Sequence, residues 1–242
     1  MTNQQIVRYL KLPFQFNPEK LIHDLSLILE NNWIPHFNSS GYSGEWDVIP
    51  LYASNGDEKN IFALAVDNSE VIETSLIKSC FYFREVIQSL EFQVTSARLL
   101  KLGAGAEIKP HRDHELGYED GYFRLHIPIV TNNKVRFVLD GELLTMRPGE
   151  CWYTNVNFVH SVSNLGDSDR IHLVIDGIRN EWSDNLFFSL ASKENLLQKQ
   201  HEEESPETIK RTIEELKSSN EPIALELIEL LNKKLEELTK NI

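Results

Sequence analysis

Tyr122-Phe-Arg-Leu-His-Ile-Pro-Ile-Val130 and Val135-Arg-Phe-Val-Leu-Asp-Gly-Glu-Leu-Leu144 decide the fold. Both runs are short and rich in β-branched and aromatic residues, which suits strands. Asp140-Gly141, inside the second run, is the strongest hairpin signal in the chain, because a two-residue turn of this type needs positive φ. Further strand-like segments follow at Glu150 to Thr154, Val159 to Ser163 and Ile171 to Ile178, with Arg147-Pro-Gly149 as another turn. Upstream, Val94, Ala97, Leu99 and Leu100 form one more such segment, broken at Gly103-Ala-Gly105. Many short strands at this spacing predict a β-sandwich or jelly-roll barrel rather than a parallel α/β sheet.

Outside this core the periodicity is helical. Asn17-Pro18 is a helix opening, with Asn as cap and Pro in the first turn, and Leu21, Ile22, Leu25, Ile28 and Leu29 repeat on one face. Trp46 to Tyr52 reads as a strand, and a second helix is expected from about Ser69 to Leu90. After Glu181 the strands stop. A polar stretch with Glu202-Glu-Glu204 precedes two short helices opened by Ser205-Pro206 and Asn220-Glu-Pro222. The last carries a stripe of Ala224, Leu227, Ile228, Leu231, Leu235 and Leu238, which packs on the core, covers a site or mediates a homodimer. The expected class is mainly β with flanking helices (α+β). Its parts are N-terminal buttressing elements (1–91), a β core (92–182) and a C-terminal helical extension (183–242).

Composition narrows the partners. The chain has 242 residues, 41% of them hydrophobic, enough for a substantial core. Lys plus Arg is 24 against 37 Asp plus Glu, a formal charge of −13. That balance argues against nucleic acid, which requires a cationic footprint, and against anionic membrane surfaces. No run approaches the ~18 apolar residues of a membrane span. The N-terminus lacks the pattern of a secretion signal, and the expectation is a cytoplasmic protein. Two cysteines, Cys80 and Cys151, have neither zinc-ligand spacing nor the numbers for a disulfide framework.

The histidines carry the chemistry. Five of eight lie between 111 and 172. In His111-Arg-Asp113 an extended backbone would point the imidazole and the carboxylate to one face. With His160, two imidazoles and one carboxylate would leave half of an octahedral shell open, the facial arrangement of non-haem Fe(II) centres. Taken alone, His-x-Asp is a weak signal. Arg170, ten residues beyond His160, strengthens it: a guanidinium buried on a strand needs an anion, and a dicarboxylate cosubstrate supplies one. The plain alternative is a pair with Asp167 or Asp169.

Arg98-Leu-Leu-Lys-Leu, Pro110-His-Arg-Asp, Phe123-Arg-Leu-His-Ile-Pro, Gly149-Glu-Cys-Trp-Tyr, His160 and Arg170-Ile-His-Leu-Val-Ile-Asp, in this order, resemble the aspartyl/asparaginyl β-hydroxylase family. Bacterial cis-proline hydroxylases are relatives within it. The resemblance spans roughly 92 to 180. It implies a double-stranded β-helix and an oxygenase dependent on Fe(II), 2-oxoglutarate and dioxygen. It makes His111, Asp113 and His160 the iron ligands and places Arg170 on the distal carboxylate of 2-oxoglutarate. It expects His126 on the cosubstrate and Arg124 on a carboxylate of substrate or cosubstrate; the simpler reading of Arg124 is a rim pair with Glu119 or Asp120. Asp113 favours hydroxylation over halogenation. The implied substrate is a free amino acid or an amino-acid residue in a peptide, with residues 114–121 at the mouth. Two other readings stay open: a non-catalytic jelly roll binding a small carboxylate, and a cupin-like metal enzyme that does not use 2-oxoglutarate.

Overall fold

A computed structural model describes residues 6–28, 32–63, 69–113, 115–199 and six later positions: 210, 213, 228, 232, 233 and 235. Contacts divide the chain into two units, 1–199 and 200–242. The described residues of the second unit are helical, and Ile213 among them is buried. Apart from Ile228 and Leu235, the apolar stripe expected there lies outside the described residues, as does Glu202-Glu-Glu204.

The first unit is built on two sheets. The larger runs β1 (Tyr9–Gln15), β11 (Glu150–Thr154), β8 (Tyr122–Val130), β13 (Arg170–Ile178), β6 (Val94–Leu102), β4 (Trp46–Ser54) and β2 (Ile34–Pro35), with β5 (Val71–Glu73) on β4. The smaller runs β10 (Glu142–Leu144), β9 (Val135–Leu139), β12 (His160–Asn164), β7 (Glu107–His111) and β3 (Tyr42–Ser43). Every pairing is antiparallel. This is the expected jelly-roll arrangement, with one correction: the sheets are hydrogen-bonded separately and do not close into a barrel. Asp140 and Gly141 turn β9 into β10 with φ of 49° and 77°, as a tight hairpin demands.

The larger sheet is buried on both faces, which is why β13 is apolar or buried almost throughout. One face packs Leu99, Phe123, Leu125, Leu173 and Ile175 against α1 (Pro18–Ser26), α2 (Phe81–Gln88), α3 (Glu181–Leu190) and α4 (Lys193–Leu197), through Leu21, Phe83, Phe187 and Leu196. The other face meets the smaller sheet, where Trp46 and Leu102 pack with Ile108, Phe137, Leu139 and Val162. Odd-numbered positions on β6, β8 and β13 thus face the helices and even-numbered ones face the inter-sheet space, the period of two at work.

The helix expected from Ser69 to Leu90 is not one helix. Residues 71–73 pair with β4 as β5, Ser75–Ser79 form a 3-10 turn, and α2 starts only at Phe81. The start is fixed from outside: Asp24 on α1 accepts from the backbone N–H of Tyr82 (2.7 Å) and Phe83 (2.9 Å), capping donors that the α2 sequence leaves open. The N-terminal opening of α1 is as expected, with Asn17 accepting from Glu19 and Lys20.

Candidate metal centre

His111 ends β7 and His160 begins β12, and the two are direct cross-strand partners. Their rings lie 4.2 Å apart between centroids. Asp113 follows two residues later, its backbone N–H donating to the Val156 carbonyl at 2.9 Å. Each of the three side chains offers one ligand atom, all within 4.8 Å of one another, the spacing at which a single ion can be gripped.

Backbone contacts choose the imidazole tautomer. Nδ1 of His111 is 2.8 Å from the Lys109 carbonyl, and Nδ1 of His160 is 3.0 Å from the Phe158 carbonyl. A carbonyl only accepts, so each Nδ1 carries the proton and each Nε2 keeps its lone pair, the form a metal ligand needs. His160 is 6% exposed; burial first, then the neighbouring His111, pull its pKa down to about 4. For Asp113, burial alone would raise the pKa, but Arg124 and the two imidazoles outweigh it and hold it at about 2. His160 and Asp113 are therefore held neutral and ionised, respectively, the forms that ligate a metal, across the neutral range.

These groups open into a cavity of about 400 Å³ between the sheets, within the ~300–1,000 Å³ typical of small-molecule sites. Arg98, Arg124, His126 and Arg170 line it from the larger sheet, and Phe137 and Val162 from the smaller. At the mouth, His36 stacks on Trp46 (3.5 Å between centroids) and on Phe37 (4.4 Å), and Phe37 meets Phe62 at 5.0 Å. Leu116, from the loop expected at the mouth, also lines it. Glu119 and Asp120 of that loop are not simply solvated: the Asn155 and Asn157 amides donate to Glu119, and Asn157 also donates to Asp120.

The cavity's arginines differ. Arg170 is 2% exposed and has no carboxylate partner among the described residues; neither Asp167 nor Asp169 reaches it. Its Nη2 is 2.8 Å from Nδ1 of His172, its Nε has no partner, and its guanidinium sits 6.0 Å from the Phe137 ring. Burial uncompensated by an acid brings its pKa to about 9. A buried cation without a counter-charge costs several kcal/mol, so the position calls for an anion. His126 is likewise buried, with neither ring nitrogen partnered among the described residues, and burial first, then Arg170, drives its pKa well below the usual range. The donors fit an Fe(II) and dicarboxylate pair: two imidazoles with a carboxylate for the ion, and an orphaned guanidinium for an anion.

Arg124, expected on a carboxylate of substrate or cosubstrate, lines the cavity and is paired with protein carboxylates, though with neither Glu119 nor Asp120. It donates to Asp176 through Nε (2.7 Å) and Nη2 (3.3 Å), and through Nη1 to Asp113 (2.5 Å). Asp176, fully buried, also accepts from Arg98 (2.9 Å) and Ser96 (3.2 Å). Sequence reasoning passed over Arg98 and Asp176 as site residues. The alternation Arg170, His172, Val174, Asp176 along β13 was the signal that could have placed Asp176 on the cavity face.

A two-sheet jelly roll with a His-Asp-His cluster in its inter-sheet cavity defines a class of mononuclear metal-site proteins. The family model for aspartyl/asparaginyl beta-hydroxylase matches residues 16–180, and the chain belongs to that family. It is 27% identical over 169 residues to L-proline cis-4-hydroxylase of Rhizobium meliloti (strain 1021), an alignment covering 67% of this chain and 58% of that protein. It is also 27% identical over 168 residues to L-proline cis-3-hydroxylase 1 of a Streptomyces species, covering 67% and 57%. The chain thus spans under three-fifths of the length of these two relatives. Among solved structures, an oxidoreductase of the 2OG-Fe(II) oxygenase family from Burkholderia pseudomallei superposes with a TM-score of 0.50. That match has 13% identity over 71% of this chain and 86% of that one, and it supports the fold. No helix among the described residues is long and apolar enough to cross a membrane.

Proposed function

We propose that the protein is an Fe(II)- and 2-oxoglutarate-dependent oxygenase hydroxylating a C–H bond of a free amino acid or an amino-acid residue, with release of succinate and CO2. The observation that carries this reading is Arg170: a buried guanidinium with no acid of its own among the described residues, lining the same cavity as the His111, Asp113 and His160 cluster. In this reading those three side chains hold Fe(II), Arg170 binds the distal carboxylate of 2-oxoglutarate, and His126 donates to or accepts from the same cosubstrate. L-Proline and its ring homologues are the first substrates to try, because the matched relatives bear that name.

When bound, the iron and 2-oxoglutarate supply the activation of dioxygen and the oxidation of the C–H bond. The chain's own share is position and exclusion. The carbonyls of Lys109 and Phe158 hold the two Nδ1 protons, so both Nε2 atoms stay available. Arg170 fixes one end of the cosubstrate, and the wall of Leu100, Ile108, Val156 and Val162 keeps water from the reacting carbon. Among the described residues of the lining the one carboxylate is Asp113, and it is engaged by Arg124. A cytoplasmic location belongs to the same proposal.

Anaerobic titration with Fe(II) and 2-oxoglutarate tests it by the visible charge-transfer band of the chelate. His111→Ala abolishes metal binding, whereas Arg170→Ala leaves metal binding intact and weakens 2-oxoglutarate at least tenfold. Absence of the band in wild-type protein refutes the reading. A panel of amino acids and peptides, scored by substrate-dependent succinate release, then identifies the substrate; binding without turnover across the panel would favour a carboxylate-binding protein instead.

A further inference from the structure

We propose that Arg124 is a positioning residue that restricts Asp113 to a single metal-facing oxygen, and that Asp176 and Arg98 hold Arg124 to that task. The inference rests on the reading of His111, Asp113 and His160 as metal ligands.

A carboxylate beside a cation can give one oxygen or two, and the choice decides how many positions on the ion remain for other ligands. Asp113 has its choice made by its neighbours. Its Oδ1 stands 3.8 Å from Nε2 of His111, on the side of the cluster. Its Oδ2 accepts from Nη1 of Arg124 at 2.5 Å, a short charge-assisted bond. To turn Oδ2 toward an ion, Asp113 would have to abandon a buried guanidinium.

Arg124 cannot follow such a turn, because its other nitrogens are committed. Nε and Nη2 both donate to Asp176, which sits directly across the β8–β13 ladder. Asp176 is pinned from its other flank by β6, where Ser96 is its register partner and Arg98 lies two residues along on the same face. Arg98 in turn donates its Nη1 to the Ile61 carbonyl at 3.1 Å. Three adjacent strands therefore hold Arg98, Asp176 and Arg124, and with Asp113, two residues beyond β7, they form a chain of alternating sign with two positive and two negative groups. Each charge in it has an opposite charge beside it. This is the physical difference from Arg170. It also accounts for two residues, Arg98 and Asp176, that stand at the ends of family-like segments without touching the ligand cluster.

Co(II) binding to the intact protein tests the role, read by ligand-field absorption and by calorimetry. With R124Q the released Oδ2 moves to the ion: the ligand-field bands shift and affinity changes about 10–100-fold, the range for a lost outer partner of a metal ligand. D176N shifts the bands in the same direction although Asp176 is no ligand. R124K, which keeps a cation beside Asp113, lies nearer wild type than R124Q. A folded R124Q with wild-type bands and affinity overturns the proposal, and if D176N does not fold, R124Q decides alone. If wild-type protein gives no Co(II) bands and H111A behaves identically, the metal-centre reading itself has failed, and the positioning role falls with it.

Discussion

His126, His160 and His172 are each no more than 6% exposed, and His36 is held under Phe37 and against Trp46. Burial is the leading cause of the lowered pKa in all four, to about 4 for His36 and His160 and well below the usual range for His126 and His172. In the unfolded chain the same groups take up protons near pH 6.5. Between about pH 6.5 and 4 the unfolded state therefore binds more protons, and stability must fall as pH falls through that window, by ~1.4 kcal/mol per pH unit for each proton taken up. The expected result is a urea midpoint for metal-free protein that drops from pH 7 to pH 5, before ordinary carboxyl groups titrate. A flat midpoint over that span contradicts it. The same environment acts on the cysteines: burial raises the pKa of both Cys80 and Cys151, so neither thiol should label at pH 8 until the protein is unfolded.

Among the elements, the turn at Arg147-Pro-Gly149 fixes where β1 lies. Gly149 has φ of 78°, and a Cβ there would sit 2.2 Å from the Phe16 carbonyl oxygen. Gly141 has nearly the same φ (77°) but open space around it. Gly141→Ala should cost about 1–2 kcal/mol from backbone strain alone. Gly149→Ala should cost more than that, since a backbone atom must also move, and paired urea titrations read the difference. Legibility in the sequence followed the same logic of what is local. The Asp-Gly hairpin and strands β8, β9 and β11 could be read because turn chemistry and alternation are encoded in neighbouring residues. The beginning of α2 could not, because its cap is Asp24, more than fifty positions earlier. Nor was β1 legible, its Tyr-Leu-Lys-Leu-Pro-Phe-Gln being short and interrupted by Pro13. Within the site, the residues brought together by spacing and family resemblance, His111, Asp113, His160 and Arg170, do line one cavity. The partner of Arg124 depends on strand register, which only the assembled sheet specifies.

At the scale of the molecule, a formal charge of −13 surrounds a cavity that must receive a dianion under the proposed function. Repulsion acts over a Debye length of ~10 Å at 0.1 M salt, whereas the attraction to Arg170 is local and shielded from solvent. The association rate of 2-oxoglutarate should therefore rise between 10 and 150 mM salt, while that of a zwitterionic amino acid stays level. Stopped-flow quenching of tryptophan fluorescence, with Trp46 in the cavity wall, would register either. The cross-strand placement of His111 and His160 has a mechanical side as well. β7 has β12 on one flank and only the two residues of β3 on the other. An ion gripped by those imidazoles is a rivet through the penultimate strand of a sheet, placed where fraying would otherwise begin. Amide exchange in β7 should slow on metal addition more than anywhere in the larger sheet, so the sheet's edge becomes a gauge of whether the ion is in place.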